Sequence, residues 1–245
     1  MTDIFIKNLG LSFEGKKTFE QLNLKIEKGE FISILGPSGC GKSSLLNILA
    51  GSLKADTGEV LVGDTVISGF NEHFAYMPQE DLLLDWKNVE DNITLYQRLH
   101  KQVINQDKLS EYIKKFGLHE VRHQYPETLS GGMKQRVALL RTVFVDRDIL
   151  LLDEPFGALD VFTRQHLQDW LKNLTNILNK TIILVTHDID EALYLSDRVI
   201  IMGGSPASLI EEIDLSTTKR SRQWLSEQGQ TRQHIYELLS QKIRH

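Results

Sequence analysis

"FISILGPSGCGKSSLLNILAG", from Phe31 to Gly51, joins a continuous apolar run to a helical one through a glycine-rich loop. Within it "GPSGCGKS", Gly36 to Ser43, fits G-x-x-x-x-G-K-[ST] in full, and a strand before and a helix after are the context that this pattern requires. Gly36, Gly39 and Gly41 let the backbone curl so that N–H groups point at phosphate oxygens. Lys42 then reaches the β- and γ-phosphates, and Ser43 offers a hydroxyl to Mg²⁺. Pro37, Ser38 and Cys40 complete the loop and Ser44 follows it, with Cys40 read as a small filler rather than a redox switch.

Two further apolar runs bounded by Asp or Pro, "DILLLDEP" (148–155) and "TIILVTHD" (181–188), suit strands buried on both faces of a parallel sheet. The first ends in two carboxylates: Asp153 is placed to hold Mg²⁺ through its water shell and Glu154 to polarise an attacking water. Neighbouring side chains on a strand point opposite ways, so the two acids need not share a role. His187 closes the second run, where an imidazole can hydrogen-bond a γ-phosphate oxygen and a neighbouring carboxylate; a purely structural histidine is the alternative. Gln79, in "YMPQEDLLL", either ligates Mg²⁺ or orients water, or is a plain turn residue.

The flanking sequence supports an α/β core with an inserted helical subdomain. "IFIKNLGLSF", "LNLKIEKGEFISILG" and "GEVLVGDTVI" read as short strands with turn signals, forming an N-terminal antiparallel β subdomain. From about 85 to 145 the spacing turns helical, with apolar positions at Ile93, Leu95, Leu99, Leu109, Tyr112, Ile113 and Phe116. A helical tail is expected over about 205–245, with Ile235, Leu238, Leu239 and Lys242 at helical spacing, packing on the core. Net charge of −5 argues against a nucleic-acid binder, and a single cysteine rules out an internal disulfide. No run approaches the ~20 apolar residues of a membrane span. Asp3 and Lys7 sit where a signal peptide needs apolar residues, so a cytosolic chain is expected.

"YPETLSGGMKQRVALLR", Tyr125 to Arg141, is a second helix start suited to an anion, a hundred-odd residues after the first. Taken together and in this order, the motifs resemble the nucleotide-binding subunit of an ATP-binding cassette transporter over nearly the whole chain. "GPSGCGKSS" is similar to Walker A, "ILLLDEP" to Walker B, Gln79 to the Q-loop, "LSGGMKQ" to the family signature, "GALD" ending at Asp160 to the D-loop, and His187 to the switch histidine. Phe13 matches the aromatic that stacks on adenine in the family. Met133 departs from the Gln of many members, and importers of the nitrate, sulfonate and taurine group often have Met there. "DEPFGALDVFTR" and "THDIDEALYLSDRV" extend the likeness to that group and to carriers of thiamine precursors.

The resemblance implies a P-loop NTPase (RecA-like) core, ATP and Mg²⁺ as ligands, and hydrolysis coupled to transport. It implies a head-to-tail homodimer in which Ser130, Gly131, Gly132 and Met133 of one copy close over the γ-phosphate held by Lys42 of the other, with Asp160 crossing the seam. It also implies permease subunits in the membrane, a substrate-binding protein beyond them, and a peripheral position on the cytoplasmic face. A permease helix would enter a groove near "EDLLLDWKNVEDN", where Trp86 either meets it or belongs to the helical subdomain's core. The competing reading is a soluble cassette of the cluster-assembly kind. A P-loop kinase or GTPase would leave "LSGGMKQR" unexplained and would need an N-K-x-D base reader, which the sequence lacks.

Overall fold

The computed structural model describes residues 2–178 and 180–241. The chain opens with a hairpin, β1 (Ile4–Phe13) and β2 (Lys16–Ile26), whose turn residues Glu14 and Gly15 both have positive φ, matching the twist of the strands. β3 (Phe31–Leu35) leads into α1 (Lys42–Ala50), followed by β4 (Thr57–Val62), β5 (Thr65–Ile67) and β6 (Phe74–Met77). A helical stretch comes next: α2 (Val89–Ile93), α3 (Leu95–Leu99), α4 (Gln106–Lys115) and α5 (Gly131–Phe144). The chain then returns to the sheet with β7 (Ile149–Asp153), α6 (Val161–Leu178), β8 (Thr181–Thr186), α7 (Ile189–Leu195), β9 (Arg198–Gly204) and β10 (Ala207–Asp214), and finishes with α8 (Arg222–Ser226) and α9 (Gly229–Gln241).

The strands form one sheet in the order β5-β4-β1-β2-β10-β9-β3-β8-β7-β6. Its β9-β3-β8-β7-β6 half is parallel, while β5-β4-β1-β2 is antiparallel, so the two kinds of sheet predicted from sequence are fused edge to edge. Alternation divides each buried strand between two cores. Ile182 and Leu184 join Leu150, Leu152, Phe31 and Leu35 against the helices on one face. Ile183 and Val185 join Ile149, Leu151, Ile32 and Ile34 against α1 and the β1–β2 hairpin on the other.

One expectation changes, and one of the apolar positions at helical spacing faces solvent. The tail is not helical from 205: Ala207–Asp214 is a strand, paired antiparallel with β9 and touching β2, and a register shift between Leu209 and Glu211 breaks the period-2 pattern that would have marked it. Leu99 faces outward while Gln97 is buried and donates to the Phe144 carbonyl at 2.6 Å, because the helical run breaks at Thr94 and changes face. Ile235 on α9 is fully buried in the helical-face core, with Leu238 and Leu239 packed against it; Lys242 lies outside the described residues. Among the described residues no helix is long and apolar enough to cross a membrane.

Burial of this depth makes α9 part of the cooperative unit. Ile235→Ala should lower unfolding stability by about 2–5 kcal/mol, read from the urea midpoint at constant slope. A midpoint equal to the wild type's would detach α9 from the core.

Candidate functional site

Register builds the site. Leu35 pairs with Thr186, Asp153 with Val185 and Met77 with Leu152, so β3, β8, β7 and β6 end in a level row. The residues just beyond those ends, Gly36, His187, Glu154 and Gln79, therefore emerge along one edge of a parallel sheet, where ligands of open α/β folds bind.

The loop 36–41 at this edge has no room for a side chain at Gly36 or Gly41. A Cβ on Gly36 would collide with the Met202 carbonyl, and one on Gly41 would come within 2.7 Å of Thr18 Cγ2. Gly41 caps α1 with φ of 96°, a left-handed conformation that favours glycine. No acidic residue sits in the first turn of α1, which leaves its N-terminal N–H groups free of local competition for an anion. Lys42 is buried and its Nζ donates to the Gly36 and Pro37 carbonyls, both at 2.9 Å, so its ammonium lies folded over the loop. Burial pushes the Cys40 thiol up, as suits an inert filler. Because Gly41 packs on Thr18 and Phe19 of β2, the tip of the same hairpin stands beside the loop, and Phe13 there is 49% exposed.

Asp153 is 2% exposed, and its Oδ1 has no hydrogen-bond partner. Burial raises its pKa, while the Ser43 hydroxyl bonded to the carboxylate acts against that rise. Glu154 departs from the strand: its φ is +48°, its N–H donates to the Val185 carbonyl at 2.9 Å, and its carboxylate turns into the row. There Gln79 Nε2 donates to Oε2 at 3.4 Å and His187 Nδ1 lies 3.1 Å from Oε1. Two residues from two other strand ends thus converge on one carboxylate.

Ser130 caps α5 by accepting from the Met133 N–H at 3.3 Å, and nothing lies within 4 Å of a Cβ built on Gly131, so this second helix start is open. Among the described residues no hydrogen bond or ion pair joins Ser130–Met133 to the 36–44 loop of the same chain. Asp160 is engaged locally. Its Oδ1 accepts from the Phe162 and Thr163 N–H groups at 3.1 and 3.0 Å, capping α6, and the Thr163 hydroxyl leads the contacts that hold its carboxyl low.

Sequence reasoning passed over four residues that organise this edge. Gln135 reaches from α5 to the backbone after β7, donating to the Glu154 carbonyl and accepting from the Ala158 N–H. Arg141, two turns further on, donates to the carbonyls of Asp81 and Leu82 at 2.6 and 2.8 Å, fastening the loop after Gln79 to α5. Asn92, fully buried, accepts from the Leu84 N–H and donates to the carbonyls of Leu84, Lys87 and Asn88, bracing the loop that carries Trp86. Glu191, 5% exposed, accepts from Thr186 Oγ1 at 2.8 Å and Gln168 Nε2 at 3.2 Å behind His187. The available signal was a polar residue on a buried helical face: Gln135 shares its face with Ala138, Leu139 and Thr142.

A phosphate loop, a paired acid and a glycine-opened helix start on one sheet define a nucleotide-hydrolysing cassette, and comparison agrees. The family model for the ABC transporter matches residues 19–157. The chain belongs to that family and is an ATPase with its P-loop fold. It is similar to the aliphatic sulfonates import ATP-binding protein SsuB of Bacillus cereus, 42% identical over 198 residues, spanning 81% of this chain and 78% of that protein. It is also 41% identical over 198 residues to the nitrate import ATP-binding protein NrtD of Synechococcus elongatus, across 79% and 72% of the two chains. Among solved structures, the dimeric post-hydrolysis state of the ATP-binding cassette MJ0796 bound to ADP and Pi matches with a TM-score of 0.79 at 28% identity, over 86% of this chain and 98% of that one.

The buried Glu191 gives the site a pH signature. Burial, with Asp188 adding to it against Thr186, Arg164 and His187, raises its pKa from 4.5 to about 7. Between those values the unfolded chain has released this proton and the folded chain has not, so stability falls as pH rises through that window. Relative to wild type, Glu191→Gln should gain stability between about pH 5 and pH 8, by at most about 3 kcal/mol. Denaturant titrations at several pH values measure this, and a constant difference would remove Glu191 as its source.

Proposed function

We propose that the chain is the ATP-hydrolysing, energy-coupling subunit of a bacterial importer, acting as a nucleotide-closed homodimer beneath permease subunits that receive solute from a substrate-binding protein. The observation that carries the hydrolytic part is the Glu154 carboxylate gripped between Gln79 and His187 beside the phosphate loop. Likeness to sulfonate and nitrate import subunits over about four-fifths of the chain supports transport, and a small solute of that kind as cargo.

Each residue has its own part in the chemistry. N–H groups of Gly36–Ser44 and the Lys42 ammonium bind the phosphates, and Phe13, beside the loop, stacks on the base. The partnerless, buried Oδ1 of Asp153 next to the Ser43 hydroxyl fits a hydrated Mg²⁺, with Gln79 within reach of the same edge. Bound Mg²⁺ supplies charge neutralisation on the phosphate oxygens. Glu154 accepts the proton of the attacking water, Gln79 and His187 hold its carboxylate in place, and His187 also faces the terminal phosphate. The open start of α5, Ser130 to Met133, serves the nucleotide of the second copy, a reading supported by its open first turn and by the likeness to a dimeric cassette. Asp160, committed to capping α6, brings a rigid turn to that seam.

Trp86 is 74% exposed and Leu82, four residues earlier, is exposed too, which favours a membrane partner on this braced loop over a core role and over a soluble cassette. Glu154→Gln should keep ATP affinity, lose nearly all turnover and accumulate an ATP-bound dimer on gel filtration; turnover near wild type would exclude Glu154 as the base. Trp86→Ala should reduce recovery of a polytopic membrane protein co-expressed from the neighbouring reading frame. Undiminished recovery would move the docking surface elsewhere, and failure of the wild type to recover any such protein would favour the soluble cassette.

A further inference from the structure

Glu154 is the one residue of the row whose backbone is unfavourable. A non-glycine residue at φ of +48° costs free energy and persists only where its surroundings impose it. Its N–H is fixed by β8 through the Val185 carbonyl. Its carbonyl is fixed from the other side by Gln135 Nε2 at 2.9 Å, and the same amide's Oε1 accepts from the Ala158 N–H at 2.7 Å. Gln135 is 8% exposed and spans the two ends of the turn 154–158. The fit around it is close. A Cβ on Gly132 would stand 3.2 Å from the Ala158 carbonyl, and one on Gly157 would stand 3.9 Å from Gln135 Nε2.

We propose that Gln135 is a positioning residue for hydrolysis: it holds the left-handed turn that aims its own chain's Glu154, and it makes the start of α5 and that turn one rigid piece. Resting on the shared-site reading above, this has a directional consequence. The α5 start of a chain closes over the partner's nucleotide, while the Glu154 it is tied to serves the chain's own nucleotide. Gln135 therefore acts on the site that holds its own chain's Lys42 and Glu154, and not on the site that its α5 start completes.

The near-isosteric Gln135→Met removes both hydrogen bonds and keeps the packing volume. In the homodimer, kcat should fall about 10- to 100-fold with the KM for ATP and nucleotide-driven dimerisation unchanged. Gln135→Glu retains an acceptor for Ala158 but sets a carboxylate against the Glu154 carbonyl, and should not restore kcat. An unchanged kcat, a loss carried by KM, or rescue by Gln135→Glu would overturn the proposal. Mixed dimers locate the effect. A Lys42→Ala chain paired with a Gly131→Glu chain keeps one whole site, built from the Lys42 and Glu154 of the second chain and the α5 start of the first. Gln135→Met added to the Gly131→Glu chain should lower the mixed dimer's hydrolysis by the same about 10- to 100-fold, whereas in the Lys42→Ala chain hydrolysis should follow the mixed parent. The reverse pattern, or equal loss from either placement, would overturn the proposal by showing that Gln135 acts through the α5 start or the fold at large. A mixed parent without hydrolysis would instead count against the shared site, and the homodimer kcat and KM would still decide for or against Gln135.

Discussion

The in-register parallel pairing of β3, β8 and β7 is the constraint on which the rest depends. Because Leu35, Thr186 and Asp153 end their strands at one level, the loop that grips phosphate, the histidine and the acid are delivered side by side with no loop needing to reach. Parallel strands of this kind must be covered on both faces, and the two hydrophobic clusters do so with residues taken alternately from each strand. A one-residue slip of β8 would exchange Ile183 and Val185 with Ile182 and Leu184 between the cores and carry His187 off the row.

Much of this was legible because it is written locally. The strand–loop–helix at 31–51, the apolar runs at 149–153 and 181–186 and the capped start at Ser130 each declare themselves within about twenty residues. What escaped was non-local. β10 is a strand because β9 precedes it in a hairpin and β2 waits beside it, and its own bulged pattern does not declare it. Gln135 makes hydrogen bonds to residues 19 and 23 positions away, and no spacing rule announces a side-chain amide bonded to backbone across two elements. Asp160 was placed at the seam by resemblance, whereas its hydrogen bonds give it a cap to maintain in its own chain.

α5 emerges as the structural hub of the edge. Its first turn is open, its second holds the turn after β7, and its third, through Arg141, holds the loop after β6. The burial of the Gln135 amide is tolerable because its oxygen and nitrogen both bond backbone groups, the Ala158 N–H and the Glu154 carbonyl. The helix therefore combines three jobs that an apolar stripe alone would not reveal.

Asn92 has an effect at a distance from any chemistry. With one buried amide bonded to Leu84, Lys87 and Asn88, the loop beneath Trp86 is ordered before anything touches it. A partner seated there forfeits little chain entropy on arrival. A push at Trp86 would also be passed on rather than absorbed, through the Asp81 and Leu82 carbonyls into Arg141, so that the loop would act as a crank instead of a spring.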